Sequence, residues 1–175
     1  MKKTILSLGA LAALTLLAAC GGQSNGTAPA ASEPAPASAS APAASPTSAL
    51  SPKEAVKERE KLMKSFKEDF GIMGKMVKGE TPYDAAAFQA AADNLAADAD
   101  KPWVHYTPES ANEESDAKPE VWSKPDEFKK EIEKFTAATA ALKTAAASGK
   151  PDDVKKPFGG VGQSCKSCHD TFRAD

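Results

Sequence analysis

Two cysteines three residues apart, followed at once by a histidine, stand near the end of the chain as Cys165-Lys166-Ser167-Cys168-His169. At that spacing on a helix both thiols lie on one side of a single turn. Each thiol can add across one haem vinyl group to form a thioether, and the adjacent imidazole can reach the iron. C-x-x-C-H is the attachment pattern of c-type haem. Three other chemistries use a C-x-x-C pair. A zinc site needs four ligands, and no second cysteine pair completes one. A thioredoxin-type redox pair belongs in a βαβ setting, and no such pattern surrounds these residues. A disulfide over this spacing within a helix has poor geometry. The reading is therefore one covalent haem c on Cys165 and Cys168, with His169 as the iron ligand.

The elements that must position this motif are helical. The motif lies on a stretch of about 152–174 whose apolar stripe repeats at Val154, Phe158, Val161, Cys165, Cys168 and Phe172. Both cysteines thus fall on the face turned to a core. Pro157, Gly159, Gly160 and Gly162 are poor interior helix residues, so a break or kink is expected near Pro157. A preceding helix over about 124–148 repeats at Phe128, Ile132, Phe135, Thr139, Leu142 and Ala146. Ser51-Pro52-Lys53-Glu54 is a helix start with cap, first-turn proline and capping-box glutamate. Val56, Arg59, Met63, Phe66, Phe70, Met73 and Val77 follow on one face, and Gly79 ends that helix. Thr81-Pro82-Tyr83-Asp84 starts a further helix in the same way, running through Ala87, Ala91 and Leu95 to about Ala99.

Residues 101–123 read as a long loop, with Trp103, Tyr106 and Trp122 placed to pin it to the domain. His105, the only other histidine, reads as a solvated loop residue rather than a second iron ligand. Arg59 is a charge within an apolar stripe. It could snorkel to the bundle edge, but beside a haem a propionate partner is the better reading.

The N-terminus carries Lys2 and Lys3, then an apolar run too short to span a membrane comfortably, ending Leu17-Ala18-Ala19-Cys20-Gly21. This looks like a lipoprotein signal over 1–19, with Cys20 as the lipidated first residue of the mature protein. Residues 20–50 are rich in Ala, Pro and Ser, with Glu33 the only charge, and cannot build a core. They read as a tether that holds the domain at 51–175 off a membrane, on the periplasmic side of a bacterial envelope and at the outer membrane. The whole chain has 22 basic and 24 acidic residues. Loss of Lys2 and Lys3 makes it more acidic still, which argues against a nucleic-acid partner.

Four antiparallel-compatible helices with C-x-x-C-H on the last one resemble the class II c-type cytochromes, specifically the cytochrome c′ family. The resemblance covers 51–175 and rests on several stretches. These are Ala55-Val56-Lys57-Glu58-Arg59, Val77-Lys78-Gly79-Glu80-Thr81-Pro82-Tyr83-Asp84, Pro119-Glu120-Val121-Trp122, and Cys165 through Arg173. It implies an all-α antiparallel four-helix bundle with covalently attached haem. It also implies that Arg59 contacts a propionate, that Arg173 lies close to His169, that Met63 covers the distal face of the iron, and that Tyr106 helps close the pocket. Pro157 and Gly160 depart from the family pattern.

Two functions follow. One is binding of nitric oxide and carbon monoxide at a five-coordinate iron, with a role in resisting nitric oxide; the sequence shows no reductase centre. The other is electron transfer to a redox partner protein, with Met63 as sixth ligand. A homodimer is expected through the outer faces of the first two helices, at Leu62, Ala86 and Ala90.

Overall fold

In a computed structural model, which describes residues 50–174, five α-helices carry the chain. They are α1 (Pro52–Val77), α2 (Ala85–Asp98), the short α3 (Glu120–Ser123), α4 (Pro125–Ala146) and α5 (Pro151–Phe172). The four long helices form an all-α four-helix bundle. The expected signal peptide, Cys20 and nearly all of the expected tether lie outside the described residues. No helix among the described residues is long and apolar enough to cross a membrane.

The capping box at Ser51 forms as expected. Its side chain accepts from the Glu54 backbone N–H, and the Glu54 carboxylate accepts from the Ser51 N–H at 2.9 Å. Gly79, with φ 74°, follows the end of α1. The start of α2 differs from the sequence expectation. Asp84, not Thr81, is the cap, and its carboxylate accepts from the Ala86 and Ala87 backbone N–H groups at 2.9 and 3.0 Å. Tyr83, one residue before the cap, packs on Phe88 with ring centroids 5.5 Å apart. That is a hydrophobic staple, and it sets the entry angle of α2 better than a proline start would.

The break expected near Pro157 does not form, since α5 runs unbroken from Pro151 to Phe172 with Pro157 inside it. Pro157 removes a single hydrogen bond, near the exposed Asp153 carbonyl. Val154 and Val161, one turn to either side, are fully buried and hold the helix to its course.

α1 packs on α2, α2 on α4 and α4 on α5. The seam between α1 and α5 is different. At one end the rings of Phe70 and Phe158 stack with centroids 4.2 Å apart. Each ring presses on a glycine of the facing helix, Phe70 at 3.2 Å from where a Gly162 side chain would begin and Phe158 at 3.3 Å from the same point on Gly74. Towards the other end the two helices diverge and leave a cavity.

The core beneath that cavity is centred on Phe66, Met73, Phe88, Leu95, Phe135, Leu142, Val154 and Val161. The expected dimer residues lie outside it: Ala86 and Ala90 are exposed on α2, and Leu62 is half-buried on α1. Leu142 is fully buried on α4 but forms no part of the cavity wall. Leu142→Ala is therefore expected to cost about 2–5 kcal/mol without altering the cavity. Denaturant unfolding followed by far-UV circular dichroism reads that loss.

Candidate functional site

The divergence of α1 and α5 encloses a cavity of about 560 Å³, within the range of pockets that hold small ligands and cofactors. α1 supplies Arg59, Met63, Phe66 and Phe70 to its wall. α5 supplies Val161, Cys165, Cys168, His169 and Phe172, and Arg173 follows at its cap. α4 adds Phe128, Glu131 and Phe135, and the loop after α2 adds Trp103 and Tyr106. All seven site residues read from the sequence within 50–174 therefore border one space. His105, set aside as a ligand, is not among the lining residues.

Cys165 and Cys168 stand one turn apart on α5, and His169 follows on the same wall. Burial pushes the Cys165 thiol up. The Cys168 thiol is pushed up to about 11 by burial first, then by the charge of Glu131 and by Cys165. Both thiols are protonated at neutral pH. The His169 imidazole is held below its usual value, chiefly by partial burial and then by the neighbouring Arg173 guanidinium, with Asp170 opposing. A neutral imidazole keeps the lone pair that a metal needs. Among the described residues no three His, Cys, Asp or Glu side chains converge as a metal-ion site, so the zinc alternative finds no further ligands there.

Arg59 does not snorkel. It is only 2 % exposed. One Nη1 donates to Ser110 Oγ at 2.9 Å and to the His105 carbonyl at 3.2 Å, and Nη2 donates to Ser115 Oγ at 2.9 Å. Its guanidinium carbon lies 4.5 Å above the Tyr106 ring and 5.8 Å from that of Trp122. Burial lowers its pKa, the ordinary direction for an enclosed cation. Tyr106 is pushed up to about 12 by burial, with Arg59 opposing.

The loop around Arg59 is more ordered than its sequence suggests. It contains two 3₁₀ turns, Pro102–His105 and Pro108–Asn112, besides α3. The expected aromatic pins are present: Trp103 Nε1 donates to the Ala99 carbonyl at 2.6 Å, and Trp122 Nε1 to the Thr107 carbonyl at 3.0 Å. The loop also grips the end of α5. Lys118 N donates to Phe172 O at 2.9 Å and Ala174 N to Asp116 O at 2.8 Å. Arg173 reaches Asp116 at 3.3 Å.

Sequence reasoning missed Ser110, fully buried beneath Arg59, and Glu131, which lines the cavity among apolar neighbours. The first has no periodic signal. The second was signalled by its register, three residues after Phe128 and four before Phe135.

A family model described as cytochrome C′ matches residues 54–173. Cytochrome c′ of Alcaligenes xylosoxydans xylosoxydans is 38 % identical over 115 residues, covering 66 % of this chain and 89 % of that protein. Solved structures of cytochrome c prime variants from Alcaligenes xylosoxidans, one a nitric oxide complex and one with bound carbon monoxide, align at TM-score 0.67 and 37 % identity. They cover 72 % of this chain and 98 % of theirs. A cytochrome c-554 of Cereibacter sphaeroides is 34 % identical over 119 residues, 66 % of this chain and 77 % of that protein. A cytochrome c′ described as having ligand-controlled dimer dissociation aligns at TM-score 0.69 and 31 % identity, over 73 % of this chain and 99 % of its own.

Proposed function

The chain belongs to the cytochrome c′ family and carries one covalently attached haem c, and from that premise we propose that it binds nitric oxide and carbon monoxide at a five-coordinate iron. The residues present fit the group. A largely apolar cavity gathers two protonated thiols and a neutral imidazole on α5, faces them with Met63 on α1, and has Arg59 and Arg173 in its walls. That convergence is the observation that carries the reading.

Haem c supplies an iron that takes diatomic ligands on the face its protein ligand leaves open. Cys165 and Cys168 would anchor it through thioethers, their two protonated thiols adding across its vinyl groups with no oxidant needed. His169 would supply the protein nitrogen that holds the iron, and Arg173 beside it disfavours protonation of that ring. Arg59 keeps guanidinium N–H capacity beyond its three loop contacts, which suits a propionate oxygen. Met63 and Phe66, the apolar part of an α1 wall that also carries Arg59, Lys64 and Lys67, present no hydrogen-bond donor. Dioxygen gains most from such a donor, so nitric oxide and carbon monoxide are favoured. The same chemistry supports a role in removing free nitric oxide.

Cys165→Ala with Cys168→Ala is expected to abolish haem staining on denaturing gels; full retention of covalent haem would sink the attachment.

A second reading has one specific support, the placement of the Met63 thioether in the wall facing His169. As a sixth ligand it would make an electron-transfer centre of higher potential. Resting-state absorption and EPR separate the two. The proposal expects a largely high-spin ferric protein, in which Met63→Ala speeds ligand entry in stopped-flow traces. A low-spin wild type that becomes high-spin on Met63→Ala would establish the second reading instead.

The lipid anchor at Cys20 belongs to the same proposal and is supported by the signal sequence before it. Cys20→Ser is expected to move the protein from the membrane fraction to the soluble periplasm, and an unchanged distribution would remove the tether.

A further inference from the structure

We propose that Glu131 is a fixed negative charge in the haem-pocket wall that holds the iron's reduction potential down, and that Lys134 on the solvent side limits its reach. The proposal rests on the haem site read above.

Glu131 sits on α4 between Phe128 and Phe135, and all three line the cavity. A carboxylate at that register is turned inward with the aromatic rings, not outward with the neighbouring Lys129, Lys130 and Glu133. Its side chain is 12 % exposed, while that of Lys134 is 60 % exposed. Oε1 accepts from Lys134 Nζ at 2.5 Å. Oε2 is buried and has no hydrogen-bond partner among the described residues. The carboxyl is held below the usual carboxylate range, chiefly by Lys134, with the nearby Ser167 hydroxyl helping and burial opposing. It is therefore ionised at neutral pH.

The two charges of the pair do not cancel within the pocket. The ammonium stands in water, where its field is strongly screened, and the carboxylate oxygen stands against an apolar wall, where screening is weak. The field already reaches the attachment side of the pocket, because Glu131 is one of the groups that raise the Cys168 thiol. A ferric iron carries one more positive charge than a ferrous one. A negative charge nearby, only partly offset by an exposed ammonium, therefore favours the ferric state. Charge and burial around a haem are among the protein's levers on its potential. An ordinary exposed pair of the same spacing would be worth little and would leave the potential alone.

The test is a spectroelectrochemical titration of the haem-loaded protein and two variants, after a haem stain confirms covalent attachment in each. Glu131→Gln keeps the shape and removes the charge. It should raise the midpoint potential, shifting the ferrous-to-ferric ratio at fixed potential by about three- to tenfold; tenfold is 59 mV for a one-electron couple. Lys134→Gln removes the counter-charge and should lower the midpoint, by less than Glu131→Gln raises it because the exposed ammonium is screened; if Glu131→Gln fails to fold, a midpoint that does not fall in Lys134→Gln overturns the proposal. An unmoved midpoint in Glu131→Gln, or shifts of the same sign in both variants, overturns the proposal. A wild type without covalent haem overturns the site reading instead.

Discussion

The structure depends on a bundle that is closed along three seams and held apart along part of the fourth. A four-helix bundle of this size would ordinarily fill its centre, because apolar surface gains roughly 25 cal/mol per Å² on leaving water. Here the α1–α5 seam is fixed at both ends and open between them. At one end the Phe70–Phe158 stack sits against Gly74 and Gly162 and brings the helices to close approach. At the other, Arg59 fills the gap with a charge tied to the loop that follows α2. A smaller side chain at Arg59 would let the loop fall inward, and a side chain at Gly162 would push against a ring already in contact.

Arg59 is an expensive way to hold a gap, and its surroundings show how the cost is met. Burying an unpaired guanidinium is strongly unfavourable. Ser110, Ser115 and the His105 carbonyl give it neutral acceptors, and the Tyr106 face gives it a cation–π partner. None of these is an anion. Charge-assisted hydrogen bonds to neutral groups are worth about 1.5–3 kcal/mol each, enough to hold the side chain but not to neutralise it. The site therefore retains an appetite for a negative group, and on the reading proposed above a haem propionate would supply it.

Much of this was legible in the sequence because it is periodic. The α5 stripe predicted that Cys165 and Cys168 face inward, and the α1 stripe put Arg59, Met63 and Phe66 on one wall. What could not be read was aperiodic or rested on a local competition. Ser110, in a 3₁₀ turn, and Ser115, in the bend after it, reach Arg59 only through the irregular segment between α2 and α3, where no spacing rule applies. Asp84 displaces Thr81 as a cap because its carboxylate meets two backbone N–H groups at once and Tyr83 staples the turn. Pro157 looked like a break because helix propensity is a local quantity, and the buried valines on either side override it. Glu131 was passed over because a glutamate on a helix usually marks the solvent face.

The position of the motif at the very end of the last helix has its own consequence. Helix termini fray unless something ties them down. Cys168 and His169, the haem anchor and iron ligand of the proposed reading, would be poorly placed on a frayed end in the final turns of α5. The loop between α2 and α4 removes that problem. It pairs Lys118 with the Phe172 carbonyl and Asp116 with the Ala174 backbone N–H, and Phe172 packs edge-on against Phe128 with centroids 5.1 Å apart. Two backbone hydrogen bonds, at about 0.5–1.5 kcal/mol each, together with a buried aromatic contact, hold the last turn in register. The same loop carries Ser110, Ser115 and Tyr106 to Arg59. One aperiodic segment thus fixes the arginine on α1 and the histidine on α5 together, so that the two walls of the pocket share a common support.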